Sequence, residues 1–175
     1  MDGLEADDLM GILMTANPGK YICITRDKDL RQIPGMHYGW EVNRQPAFGP
    51  YKYDEIGELL LQKGKSTKLL GGGAKFFYAQ VLMGDSVDTV PGIPGTGPVA
   101  AYAIINPCNT IDECEEAVGG AYRAFYGLDW KTVMREQARL LYMSREVDKN
   151  GFVKLWSFQD EEPIWMNCMT GSVRE

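Results

Sequence analysis

Seven carboxylates fall in three short clusters: Glu5, Asp7 and Asp8 in LEADDLMG, Asp27 and Asp29 in RDKDL, and Asp85 and Asp88 in GDSVD. Like charges this close repel, and more strongly when partly buried, so something must offset them. A helix N-terminus can do so: Asp7 or Asp8 could cap a helix starting there, and acids in a first turn favour the helix dipole. Asp27 and Asp29 could form a solvated turn after a strand, and Asp85 could be another N-cap with Asp88 in its first turn. A divalent cation is the other candidate.

Spacing makes the cation the sharper reading. Glu5 and Asp8 are three apart, as are Asp85 and Asp88, and share a face if helical. Asp27 and Asp29, two apart, point the same way in extended chain. They directly follow YICIT (residues 21–25), at the carboxyl end of a strand where open α/β sheets place ligands. Three pairs aimed at one point would cage hard cations such as Mg²⁺ or Mn²⁺, and a donor set without cysteine or histidine disfavours zinc. Two such ions roughly 3.5–4 Å apart would activate water and neutralise the leaving oxygen in phosphodiester hydrolysis.

The stretch VPGIPGTGP, holding Gly92, Ile93, Gly95, Thr96 and Gly97, leads through Val99 into AAYAII. Gly95 and Gly97 let backbone approach a ligand, and the new helix start offers free N–H groups to a phosphate. A plain interhelical turn has the same composition. The segment QKGKSTKLLGGGAK, with Lys63, Lys65, Lys68 and Lys75, is basic and glycine-rich, suiting either a phosphate-contacting lid or a solvated loop.

The elements that would position these groups follow from periodicity and breakers. A helix is expected over 9–14, stopped by Asn17-Pro18-Gly19, then a buried strand at 21–25. A second extended stretch at 37–42 would pair beside it, giving one α/β unit of a parallel sheet. Helical spacing is read at 53–61 and a loop at 62–75. A buried helix ending at Gly84 follows, with two more at 111–127 and 130–146. The tail is expected to pack back through Trp156 and Trp165.

At 175 residues, 45% hydrophobic and 24% charged, the chain suits one domain with a real core. It has no apolar run near the roughly 18–20 residues of a membrane span and no signal-peptide pattern, so a cytoplasmic location is expected. Cys23, Cys108, Cys114 and Cys168 lack metal or disulfide spacing and read as free thiols. His37, the single histidine, reads as an ordinary strand or turn residue. The net charge of −6 is unlike most nucleic-acid binders, but an acid cluster filled by cations does not oppose phosphate.

LEADD, RDKDL and GDSVDTVPGIPGTG, in this order, resemble the motifs of the 5′-nuclease family: flap endonucleases, the 5′-nuclease domain of bacterial DNA polymerase I, and phage 5′-3′ exonucleases. The segment ARLLYMSREVDKNGFVKLW is similar to the phage members, and the likeness runs from Leu4 to Trp156. It implies an α/β fold with a partial parallel-sheet (PIN-like) core over 1–80. A helix-three-turn-helix module over 81–146 would grip duplex DNA through backbone phosphates, and a tail over 147–175 would pack on the body. By resemblance, Glu5, Asp7 and Asp8 serve a first Mg²⁺ or Mn²⁺ or its water shell. Asp27 lies between two ions, and Asp29, Asp85 and Asp88 hold the second. Gly92, Ile93, Gly95, Thr96 and Gly97 form the duplex-binding turn, where the family often binds K⁺.

The chain also departs from that pattern. Family members carry a portion before the EADD-type motif with a first strand, two further aspartates and a Lys/Arg-rich helical arch; here Met1 lies just before Glu5. Val99 stands where relatives often place a lysine. The sequence therefore resembles the C-terminal half of a 5′ nuclease. A separate polypeptide, as from a split phage gene in an infected bacterial cell, or self-association is expected to cover an apolar sheet edge. The expected function is metal-dependent 5′-3′ exonuclease or flap endonuclease action. The alternative is a catalytically incomplete DNA-binding or regulatory module.

Overall fold

The computed structural model describes residues 4–43 and 45–174. Its centre is a helix with no polar side. The segment GAKFFYAQVLM (α2, Gly73–Met83) is apolar around nearly its whole circumference and is buried accordingly, as expected for a helix covered on every face. It packs against α3 (Pro98–Ile105), α4 (Ile111–Tyr126), α5 (Trp130–Leu141) and a 3-10 turn at Asp29–Gln32. The outer helices carry clear start signals. Pro98 opens α3 at its first turn, and the Thr110 hydroxyl caps α4 by accepting from the Glu113 N–H at 3.1 Å. The side chains of Val118, Tyr122, Met134 and Ala138 fill the space against α2. The tail closes the same core: Trp156 lies 6.3 Å from the Phe77 ring and 4.8 Å from Phe158.

Three small sheets surround this helical body. β1 (Ile22–Ile24) pairs parallel with β2 (Gly35–Gly39), which pairs antiparallel with β3 (Phe48–Tyr53) on its other side. β4 (Glu58–Gln62) and β5 (Lys68–Gly72) form an antiparallel hairpin. In the tail, β6 (Phe152–Lys154), β7 (Trp165–Asn167) and β8 (Val173–Arg174) form an antiparallel meander. α1 (Ala6–Ala16) precedes β1 and ends before Asn17-Pro18-Gly19, as the breaker predicts. The mixed α/β class is as expected, but β1–β2 is the one parallel pair among the described residues.

Several elements differ from the sequence expectation for identifiable reasons. The expected helix at 53–61 is the end of β3, a turn and β4. Gly57 turns the chain there with φ +69°, and Glu58–Gln62 alternates exposed and inward positions, a period of two set by pairing with β5 rather than by leucine's helix propensity. The basic loop at 62–75 is largely this hairpin plus the first turn of α2. β1 is not buried on both faces: Cys23 points in, while Ile22 and Ile24 are more than half exposed. α5 stops at Leu141 instead of reaching 146. His37 is a buried strand residue whose Nε2 lies 2.8 Å from Ile33 O, as anticipated.

The backbone crossing that supports the acidic turn uses two glycines. Gly84 (φ +72°) and Gly92 (φ +63°) approach so closely that a Cβ on Gly84 would lie 2.2 Å from Val90 O, and one on Gly92 2.3 Å from Gly84 N. Gly97, by contrast, has open space where a Cβ would go. In urea unfolding, Gly84→Ala is expected to cost at least about 1–3 kcal/mol, whereas Gly97→Ala should stay within about 0.5 kcal/mol.

Candidate metal centre

Two loops, both anchored on α2, build the site. At the C-terminus of α2 the chain reverses through Gly84 into a tight turn closed by reciprocal Asp85–Val90 backbone hydrogen bonds, both 2.8 Å. The Asp85 carboxylate is buried at the base of this turn and its Oδ1 accepts the Val87 N–H at 2.8 Å. Asp88 is exposed nearer the tip. Below, the base is held from the helical side. The Gly92 N–H donates to Gln137 Oε1 (2.7 Å) and Gly92 O accepts from the Tyr126 hydroxyl (2.8 Å). The buried Tyr122 hydroxyl donates to Val81 O at 2.7 Å.

The second loop follows β1. The Thr25 hydroxyl accepts the Asp27 N–H (3.0 Å), and Asp27 Oδ1 accepts the Asp29 N–H (2.9 Å), starting the 3-10 turn that carries Leu30 and Gln32 into the core. This places Asp29 beside the other loop. Asp29, Asp85 and Asp88 each present a carboxylate oxygen within 4.8 Å of the others.

A cation already reaches into this trio from the chain itself. The Lys28 ammonium is 3.0 Å from Asp29 Oδ1 and hydrogen-bonded to Asp85 Oδ2. Burial opposes the charge on Lys28, but its bonds to Asp85 and Asp29 outweigh it and hold its pKa above the usual lysine value. Burial likewise opposes ionisation of Asp85, yet the Lys28 ammonium and the Val87 and Asp88 N–H groups keep its carboxyl below the usual range. The donor chemistry fits a hard divalent cation: three carboxylates, no thiolate or imidazole, and a positive charge standing where the acids converge. The trio is also open at the surface. It does not line the cleft of about 920 Å³ whose walls include Met14, Tyr53, Phe77, Tyr142 and Trp156.

The remaining sequence-predicted residues are not part of this trio. Glu5, Asp7 and Asp8 are at the start of α1, where Asp8 Oδ2 accepts the Glu5 N–H (3.3 Å) and Asp7 Oδ1 the Asp8 N–H (2.9 Å). They serve the helix terminus there and are not among the three converging acids. Asp27 Oδ1 accepts the Asp29 N–H at the start of the 3-10 turn, and Asp27 is not among the three converging acids. Gly92 is buried and engaged at both its polar groups, while Gly95 and Gly97 face open space and Thr96 N–H donates to Ile93 O at 2.9 Å. Lys63 and Lys65 are exposed at the hairpin turn and Lys68 on β5. Lys75 instead donates to Asn106 O at the C-terminal end of α3 (2.9 Å), a favourable place for a cation. Sequence reasoning passed over Lys28, Gln80, Gln137, Tyr122 and Tyr126. The available signal was a lone lysine between two aspartates and polar side chains inside apolar helices.

Comparison with known proteins bears on what such a centre serves. The chain is 33% identical over 116 residues to a 5′-3′ exonuclease of Bacillus subtilis, covering 65% of this chain and 37% of that protein. It is 24% identical over 152 residues to the flap endonuclease Xni of Shewanella frigidimarina, covering 83% and 55% respectively. A DNA polymerase I of Chloroflexus aurantiacus is 27% identical over 151 residues, covering 83% of this chain and 15% of the polymerase. The chain is related to the 5′-3′ exonucleases and flap endonucleases. It spans 37% and 55% of the length of the first two of these relatives. No family model and no solved structure matches it. Among the described residues, no helix is long and apolar enough to cross a membrane.

Because Lys28 competes for the same oxygens, removing its charge should tighten cation binding. The side chain of Lys28 is 48% exposed against 8% for Asp85, so screening limits the competing interaction to about 0.4–1 kcal/mol. Calorimetric titration with Mn²⁺ should therefore show Lys28→Met binding roughly two- to fivefold tighter than the unaltered protein; equal affinities would count against the competition.

Proposed function

We propose that the chain is the metal- and duplex-binding part of a divalent-cation-dependent 5′-3′ exonuclease or flap endonuclease. The observation that carries this is the convergence of Asp29, Asp85 and Asp88, three acids from the clusters that resemble 5′-nuclease motifs. Asp29, Asp85 and Asp88 would hold one Mg²⁺ or Mn²⁺, Asp27 would serve this ion and a second, and Glu5, Asp7 and Asp8 would serve the second ion or its water shell. Bound there, the cations supply water activation and charge neutralisation at the leaving oxygen.

The chain's own residues bind and orient the substrate. Gly95, Thr96 and Gly97 lead into the amino end of α3, where unpaired N–H groups favour a phosphate. Residues 81–146 act as a helix-three-turn-helix module on duplex backbone, residues 1–80 as the PIN-like core, and 147–175 as a packing tail. Exposed Lys63, Lys65 and Lys68 add positive charge toward DNA. A K⁺ ion at 92–97 belongs to the same reading: Gly92 O and Ile93 O each accept one internal hydrogen bond and keep a second lone pair for a cation. Contacts of this kind read backbone, not sequence. The open edge of β1, with Ile22 and Ile24 exposed, is the place where a second polypeptide or another copy would add a strand.

A second reading, a DNA-binding module without catalysis, is favoured by one observation: Glu5, Asp7 and Asp8 lie outside the converging trio and serve α1. Cleavage of a 5′-labelled flap or nicked duplex with Mg²⁺ or Mn²⁺ separates the two. The nuclease reading expects cutting that falls at least roughly a hundredfold in Asp29→Ala and Asp85→Ala, in line with losses seen when metal sites are disturbed. Binding that weakens steeply with salt, without cutting, would instead mark the second reading. Neither cutting nor binding would refute both.

A further inference from the structure

The cation site has a second layer that no sequence motif announces. Gln80 sits in the middle of the apolar helix α2 and is 3% exposed, and Gln32 at the end of the 3-10 turn is fully buried. Amides so placed must find partners or destabilise the fold by about 1–3 kcal/mol each. The two find each other and two fixed backbone groups. Gln32 Nε2 is 2.8 Å from Leu141 O and 2.9 Å from Gln80 Oε1, and Gln32 Oε1 is 3.4 Å from the Met143 N–H. Gln80 Nε2 contacts Asp29 Oδ1.

The direction of every bond in this chain is determined. A carbonyl cannot donate, so Gln32 must turn its amino group to Leu141; a backbone N–H cannot accept, so Gln32 must turn its oxygen to Met143. Both constraints select the same orientation. The second amino hydrogen of Gln32 is then directed at Gln80 Oε1, which leaves the Gln80 amino group facing the carboxylate. Asp29 therefore receives a hydrogen from a donor whose orientation is locked from two residues away by the end of α5. Ion-site carboxylates depend on such outer partners for their aim.

We propose that Gln80, held by Gln32, is the positioning residue for the Asp29 carboxylate, and that this relay couples the end of α5 to cation affinity. The proposal rests on the metal-site reading above. It goes beyond it by assigning two uncharged residues, neither in an acidic motif, a role in how tightly the ion is held.

The test is Mn²⁺ titration by calorimetry on the full chain, with thermal unfolding followed by circular dichroism in the absence of metal. Gln80→Met keeps the volume and removes the donor, and is expected to weaken Mn²⁺ binding about tenfold. Gln32→Met, which leaves Gln80 in place but unanchored, should weaken it in the same sense and by less. Phe77→Leu, also in the buried face of α2, is the packing control. It should lower the unfolding temperature without changing Mn²⁺ affinity. If Gln80→Met does not fold, the comparison of Gln32→Met with Phe77→Leu decides the matter in the same way. Unchanged affinity in the folded glutamine variants, with binding still abolished by Asp85→Asn, would overturn the relay and leave the metal site standing. Equal loss of affinity in Phe77→Leu would also overturn it, because packing alone would then suffice. Absence of Mn²⁺ binding by the unaltered protein would refute the metal site and the relay with it.

Discussion

Burying α2 on every side is the constraint from which the rest of this structure follows. A helix reading FFYAQVL offers no face to water, so three helices, a hairpin, a 3-10 turn and the tail must all converge on it. That convergence brings segments far apart in sequence to one place. The loop after β1 is held at the acidic turn by Gln32, which bonds to Gln80 of α2 while Leu30 is buried with Met14, Cys23 and Ile33, and Asp85 is where it is because α2 ends two residues earlier. A few polar side chains inside this core bond across it. Tyr122 donates to Val81 O, Tyr78 to Glu115 (3.2 Å), and Gln80 to Asp29, so each ties a covering element to the central helix in one register.

The site shows a division between rigid support and exposed chemistry. Asp85 is buried and bonded to its own turn, Asp29 is fixed through the 3-10 turn, and Asp88 remains in solvent at the edge. The turn at 92–97 is divided in the same way. Its first glycine is locked between Gln137 and Tyr126, and its later ones stand free, so the turn is held from behind by α4 and α5.

Much of this was legible in the sequence. Breakers and caps located α1, α2, α3 and α4, and the acid clusters contained the three residues that converge. What could not be read was how the acids group. The pairing of Asp85 with Asp88 was inferred from helical spacing, yet the segment is a turn, and it is the reversal at Gly84 that brings both toward Asp29. Spacing treats Asp27 and Asp29 as extended chain, but Asp29 opens a 3-10 turn and donates its N–H to Asp27. The hairpin at 58–72 escaped because leucine runs suit a helix as well as a strand, and pairing between Leu59 and Gly71 or Leu61 and Leu69 is a long-range fact that local periodicity does not contain. Gln80 and Lys28 were invisible for a simpler reason: their meaning lies in partners 51 and 57 positions away.

The closure of the core by Trp156 and Phe158 also has a consequence for how the protein is made. Phe77 emerges early during synthesis, but the aromatic rings that cover it come from the tail. Until residue 158 is available, the most apolar helix of the chain has an uncovered face, and contacts of such wide sequence separation form slowly. The nascent chain thus passes through a stage in which its central helix is sticky. A ribosome pausing before the tail, or a truncation that removes it, would prolong that stage and favour aggregation over folding.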